Sequence, residues 1–413
     1  MIRGALVFLH RWTGLLMAAF LAVIGLTGSA LAYNTELERV FAPQLFAHPR
    51  PNIPALDVGT LAARAQALLP QARVRGVVYI QPDQVQVYFE PRINPSTGSF
   101  YPLGFNEFFL DPWSGTELGR RHRGDLREGR INVMPFIYEV HWTLALGEVG
   151  HWFFGILALL WSLDCFVGFY LTLPQRAGPF WGRWKFAWWV KWGARASRIN
   201  FDLHRAAGLW LWAMLFVFAW SSVMMNLRPV YERVMRSVFD YQSFDDELPS
   251  SLSERNEHPV LDWHTAAVIG QQLITKQASG NGFRVQEPLG LWYSPESGTY
   301  TYEVRSSRDV FERAPKGGST SVTLDGNTGA FLSLSRPTGE HLGNTMESWL
   351  YALHMARVFG RPYQLFVCCL GVVVAVLSVT GVCIWWKKLN GRKQAALAKT
   401  RVSSSVTVPE MNF

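Results

Sequence analysis

Charge is thin on this chain. Asp, Glu, Lys and Arg make up 17% of its 413 residues, where a soluble globular domain carries about 25%. Cysteine is scarcer still. Cys165, Cys368, Cys369 and Cys383 all fall inside apolar runs, so neither a disulfide framework nor a thiolate metal site is expected in the polar segments. Buried inert thiols are the plainer reading. No Gly-rich phosphate loop stands between a strand and a helix, which argues against a flavin or nicotinamide site within the chain. The net charge of +8 does not call for nucleic acid. The basic residues cluster beside apolar runs, where membrane topology accounts for them.

Apolar residues are what the chain has in quantity: 49% of it is hydrophobic, with 18 Trp. Four runs, at 12–33, 152–173, 209–227 and 365–386, are long enough to cross about 30 Å of hydrocarbon at 1.5 Å per residue. The first contains Ala30-Leu31-Ala32, which looks like a signal-peptide cleavage site. Its apolar stretch is longer than a usual signal, and its leading motif recurs at the third run, so it is read as a retained helix.

Basic residues set the orientation. Arg3 and Arg11 precede the first run. Arg176, Arg183, Lys185, Lys191, Arg195 and Arg198 lie between the second and third, and Lys387, Lys388, Arg392 and Lys393 follow the fourth. The positive-inside rule puts these, and both termini, in the cytoplasm. The expected fold is an α-helical membrane protein with four transmembrane helices and two α+β modules outside. The divisions are 1–33, first span; 34–140, first outside module; 141–173, second span; 174–203, basic Trp-rich loop; 204–227, third span; 228–350, second outside module; 351–386, fourth span; 387–413, cytoplasmic tail. The loop carries Trp181, Trp184, Trp188, Trp189 and Trp192. It reads either as an interfacial segment on anionic headgroups or as a docking surface for an electron donor.

The chain repeats itself. Leu9-His10-Arg11 followed by Gly14-Leu15 matches Leu203-His204-Arg205 followed by Gly208-Leu209. His141 with Gly147 matches His354 with Gly360, and Gly168 and Gly381 lie at equal distances beyond them. In the polar segments, Leu110-Asp111 with Gly115 parallels Leu324-Asp325 with Gly329. Each reads as a hairpin turn. Alternating strands such as 85–89 and 300–304 come before the turns, and helical stretches at 58–69 and 264–277 come before the strands. Both copies start and end inside, so the repeats are parallel, about an axis along the membrane normal.

Four of the ten histidines hold matched positions: His10 with His204, and His141 with His354. Parallel repeats put each pair at one depth on different helices, an arrangement suited to axial ligation of haem iron. One haem b is expected near each face. The plainer reading is that they are helix-packing residues. His48, His122, His258 and His341 read as ordinary surface histidines. His151, ten residues after His141, either replaces His141 as a ligand or sits beside the haem as a hydrogen-bond donor. Arg11 and Arg205 contact headgroups or pair with haem propionates. Asp164, mid-span, is helix glue or a proton-transfer group.

These motifs, with the Trp385-Trp386-Lys387 exit, resemble the PepSY-associated transmembrane family along nearly the whole chain. His151 stands where many members carry Arg, which puts the outer ligand in question. The resemblance implies residence in a bacterial inner membrane, PepSY-like periplasmic modules and a role in iron acquisition. Its siderophore-reductase branch implies two haems, a ferric siderophore as periplasmic substrate and a separate cytoplasmic or membrane electron donor. The aromatics Tyr79, Tyr88, Phe89, Phe100, Tyr101, Phe105, Phe108, Phe109 and Trp113 are candidates for docking that substrate, though most read as module core. Two other classes compete with the reductase. One is a non-redox interaction protein built on PepSY-like modules. The other is a transporter, for which the spans offer little beyond Asp164.

Overall fold

The computed structural model describes residues 2–175, 178–243, 251–311 and 318–405. Arg176, counted above among the inner basic residues, lies outside them, as do residues 406–413 and the side chains of Arg392 and Lys393.

Three helices among the described residues are long and apolar enough to cross a bilayer. They are α1 (Ile2–Leu31), α5 (Gly147–Thr172) and the part of α12 (Gly360–Ser405) up to Gly391. The apolar run at 209–227, expected as the third span, falls on a bent pair. α7 (Ala196–Trp210) and α8 (Trp212–Asn226) meet at 68°. The 15 residues of α8 extend only about 22 Å, short of the hydrocarbon thickness, so a crossing here needs both halves. The Trp212 indole donates to the Cys165 carbonyl at 2.8 Å, tying the bend to α5. Small residues let the helices touch. A Cβ on Gly25 would lie 2.4 Å from the Gly371 carbonyl oxygen, and one on Gly155 2.6 Å from that of Asn226. Backbone thus meets backbone between α1 and α12, and between α5 and α8.

A short helix precedes each of two long ones: α4 (Val133–Thr143) before α5, and α11 (Leu342–His354) before α12. The chain breaks between them through left-handed residues: Leu144, Ala145 and Gly147 in one case, Ala356, Phe359 and Gly360 in the other. Glycine adopts this backbone freely. Each of the other four residues costs roughly 1–2 kcal/mol there. His141 and His354 therefore lie on α4 and α11, ahead of the long helices.

The two long polar segments do not form two separate sheets, as the sequence suggests. β1 (Ala72–Gln81), β2 (Gln84–Pro91), β3 (Glu107–Leu110), β4 (Glu117–Arg121), β5 (Val285–Ser294), β6 (Thr299–Ser306), β7 (Thr320–Asp325) and β8 (Phe331–Ser335) make one antiparallel sheet. Its order is β4-β3-β2-β1-β5-β6-β7-β8. The join is β1 to β5, with Gly76 opposite Trp292 and Val77 opposite Leu291. The β1 and β5 edges are thereby covered where separate modules would leave them open to aggregation. The two Asp-to-Gly turns form as expected. Asp111 Oδ1 accepts from the Trp113 and Ser114 amides, and Asp325 Oδ1 from those of Asn327 and Thr328.

α3 (Val58–Leu68) and α10 (Trp263–Asn281) are capped by Asp57 and Asp262 and cover one face of the sheet. Alternation divides β2 between the two faces. Val85 and Val87 enter the core with Leu61, Phe108 and Leu110. Gln84 and Gln86 point the other way, into a cavity that reaches the helices. Phe89, Phe105 and Phe108 belong to the same core and Phe109 to a neighbouring one. Phe100 is exposed.

Candidate functional site: two facing histidine pairs

α1 and α7 carry His10 and His204, whose ring centroids stand 6.3 Å apart with planes inclined by 59°. α4 and α11 carry His141 and His354, also 6.3 Å apart, inclined by 72°. The second pair lines a cavity of about 710 Å³. That cavity runs from Met17, Leu21, Trp161 and Val374 on the helices to Gln86, Glu107 and Arg121 on the sheet. Its volume is within the range of cofactor and ligand pockets, about 300–1,000 Å³.

Among the described residues, each of these four rings makes a hydrogen bond at Nδ1. His10 Nδ1 lies 2.9 and 3.0 Å from the two oxygens of Asp164. His204 Nδ1 lies 3.1 Å from the Leu377 carbonyl and 3.1 Å from Thr380 Oγ1. A carboxylate and a carbonyl only accept, so both Nδ1 atoms carry the proton. His141 Nδ1 meets Thr27 Oγ1 at 3.0 Å, and His354 Nδ1 meets Ser221 Oγ at 2.7 Å. Those hydroxyls donate back along their own helices, Thr27 to Val23 and Ser221 to Val217. Their oxygens are thus left to accept from Nδ1–H. All four Nε2 atoms keep a free lone pair.

A metal ion between two Nε2 atoms would sit roughly 2 Å from each, with each ring centroid about 1 Å behind its nitrogen, for a centroid separation of about 6 Å. The 6.3 Å spacing of both pairs fits that requirement. Glycines face three of the rings. A Cβ on Gly28 would lie 3.0 Å from His141 Cε1, one on Gly381 3.3 Å from His204 Cε1, and one on Gly168 3.6 Å from His10 Cε1. Phe218 packs on His354, ring centroids 4.8 Å apart.

The other expected residues fall elsewhere. His151 packs on Trp142 and Trp152, with its Nδ1 buried and unpartnered, and does not line the cavity. Arg205 pairs with Asp202 at 2.9 Å and donates to the carbonyls of Phe186, Ala187 and Trp189. It fastens the Trp-rich loop to α7. Arg11 is half-buried on α1. In that loop Trp181, Trp189 and Trp192 are exposed, while Trp188 packs on Trp210.

Thr27, Ser221 and Thr380 were not singled out from the sequence. A signal existed, because Thr27 follows His10 by as many residues as Ser221 follows His204. On the sheet side of the cavity, Arg121 is buried between Glu38 and Glu107, at 2.6 and 2.7 Å. Burial pushes the Glu38 carboxyl up from its ordinary value, and Arg121 offsets this only in part.

A helical membrane-type protein with an antiparallel sheet joined to its helices, and two facing histidine pairs within them, is the class this architecture defines. The profile of the family described as PepSY-associated TM region matches residues 7–388, and the chain belongs to that family. No curated protein matches it.

Proposed function

We propose that this chain is a dihaem b-type oxidoreductase of a bacterial inner membrane that passes electrons to ferric siderophore in the periplasm. In this reading α1, α5, the α7–α8 pair and α12 are four spans forming two parallel repeats. The termini are cytoplasmic and the sheet is periplasmic. His10 and His204 hold the cytoplasmic-side group, and His141 and His354 the periplasmic-side one. The observation that carries the reading is that both pairs stand 6.3 Å apart with every Nδ1 proton already given to a partner. Each haem, when bound, supplies a one-electron couple. No Cys-x-x-Cys-His sequence is present, in keeping with a non-covalently held group.

The residues do the holding and the shielding. Thr27, Ser221, Thr380 and Asp164 fix ring orientation and tautomer. Met17, Leu21, Phe154, Leu157 and Val374 line the helix end of the cavity with apolar surface. One electron per iron turns Fe(III) into Fe(II), which hard oxygen ligands hold far more weakly, and the siderophore lets go. The electrons come from a separate cytoplasmic or membrane donor.

Mixing dithionite-reduced purified protein with a ferric hydroxamate siderophore, in the presence of an Fe(II)-specific chromogenic chelator, tests this reading. Reoxidation of the protein with stoichiometric appearance of the Fe(II) complex is expected. A reduced protein that stays reduced would overturn the substrate assignment.

A further inference from the structure

The two pairs differ in what accepts their Nδ1 protons. The sheet-side pair has two hydroxyls, Thr27 and Ser221. The loop-side pair has a carboxylate, Asp164, for His10, and the Leu377 carbonyl with Thr380 for His204. Leu377 occupies the position in its repeat that Asp164 holds in the other, since each follows its matched histidine by the same number of residues. The acid is therefore present in one half only. It is buried on α5, 9% exposed, and both oxygens lie within hydrogen-bond reach of His10 Nδ1.

We infer that Asp164 is a positioning residue that lowers the reduction potential of the His10/His204 site below that of the His141/His354 site, and so directs electrons toward the sheet. This rests on the dihaem reading above. Two physical effects have the same sign. A carboxylate accepting from Nδ1–H makes the imidazole a stronger donor to iron, which favours the ferric state. A negative charge held in a low-dielectric surround also favours the more positive, oxidised centre. The hydroxyls at the other pair bring no net charge and accept more weakly. No bond forms or breaks at Asp164. One electron enters at the lower-potential site and leaves from the higher one, so the transfer toward the sheet runs downhill.

The test is a spectroelectrochemical titration of the detergent-purified holoprotein, full chain, as wild type and as Asp164→Asn. Asparagine keeps an acceptor oxygen near Nδ1 and removes the charge. The wild type is expected to titrate in two waves, with His10→Ala abolishing the lower and His141→Ala the higher. In Asp164→Asn the lower wave should move up toward the other while the higher one stays, and Asp164→Glu should restore most of the separation. Two haems with both midpoints unchanged in Asp164→Asn would overturn the inference and leave the dihaem reading standing. So would a lower wave that disappears in His141→Ala instead of His10→Ala, a result that needs no Asp164 variant to fold. A wild type without two haems would overturn both.

Discussion

The loop-side and sheet-side histidine pairs share one ring separation, 6.3 Å, and differ in nearly everything around it. His10 and His204 sit within longer helices, α1 and α7, and lean on a carboxylate and a backbone carbonyl. His141 and His354 sit at the ends of short helices, just before left-handed breaks. They lean on hydroxyls and open into a cavity that reaches a polar sheet face. Spacing is the feature held constant, and it is what ligation demands. Polarity of the support and access to the sheet are what vary, and in the proposed reading those would set potential and traffic.

The comparison breaks most completely if one ring is removed from either pair. His354→Ala and His10→Ala should each lose one of two haems, one from the sheet-side pair and one from the loop-side pair. Adding His141→Ala to His354→Ala should lose no more than the single change, by haem content per chain. Retention of both haems in either single variant would sink the ligand assignment.

Crowding the rings is the next test. Gly28→Val should diminish occupancy of the sheet-side site, because its side chain would press on a ring that a Cβ alone approaches to 3.0 Å. Gly381→Val should act on the loop-side site, less severely at 3.3 Å. Haem content and the α-band that disappears distinguish the two.

Smaller effects should follow from the supporting hydroxyls. Ser221→Ala removes His354's acceptor and should weaken haem retention by about 10–100-fold, the usual cost of losing a ligand's outer partner. Thr380→Val should cost less, since the Leu377 carbonyl still accepts from His204. Haem transfer to an apo-globin acceptor would rank them. The smallest effect belongs to His151→Ala, which should keep both haems, because His151 packs on Trp142 and Trp152. Loss of the sheet-side haem in that variant would return His151 to the ligand list.

The pairing of His10 with His204 and of His141 with His354 was legible because the same residue recurs at the same place in two copies of one pattern. The Asp111 and Asp325 turns were legible because aspartate and glycine supply the acceptor and the positive φ that such turns need. The bend at Leu211 was not. No proline marks it and it lies inside a continuous apolar run, so hydropathy passes straight over it. Nor was the fusion of the sheets, since β1 and β5 carry no mark saying that each pairs with the other instead of ending as an edge. Asp164 stood out as an acid in an apolar helix, but its partner, His10, is 154 residues away. Only the fold brings the two together.

Whether both pairs hold haem is read from the visible spectrum of the purified protein, oxidised and then dithionite-reduced, with haem quantified per chain. Two haems per chain with sharp reduced α-bands of bis-histidine type are expected. A colourless protein, after expression with ample haem supply, would contradict the dihaem reading and favour a non-redox interaction role for the family's fold.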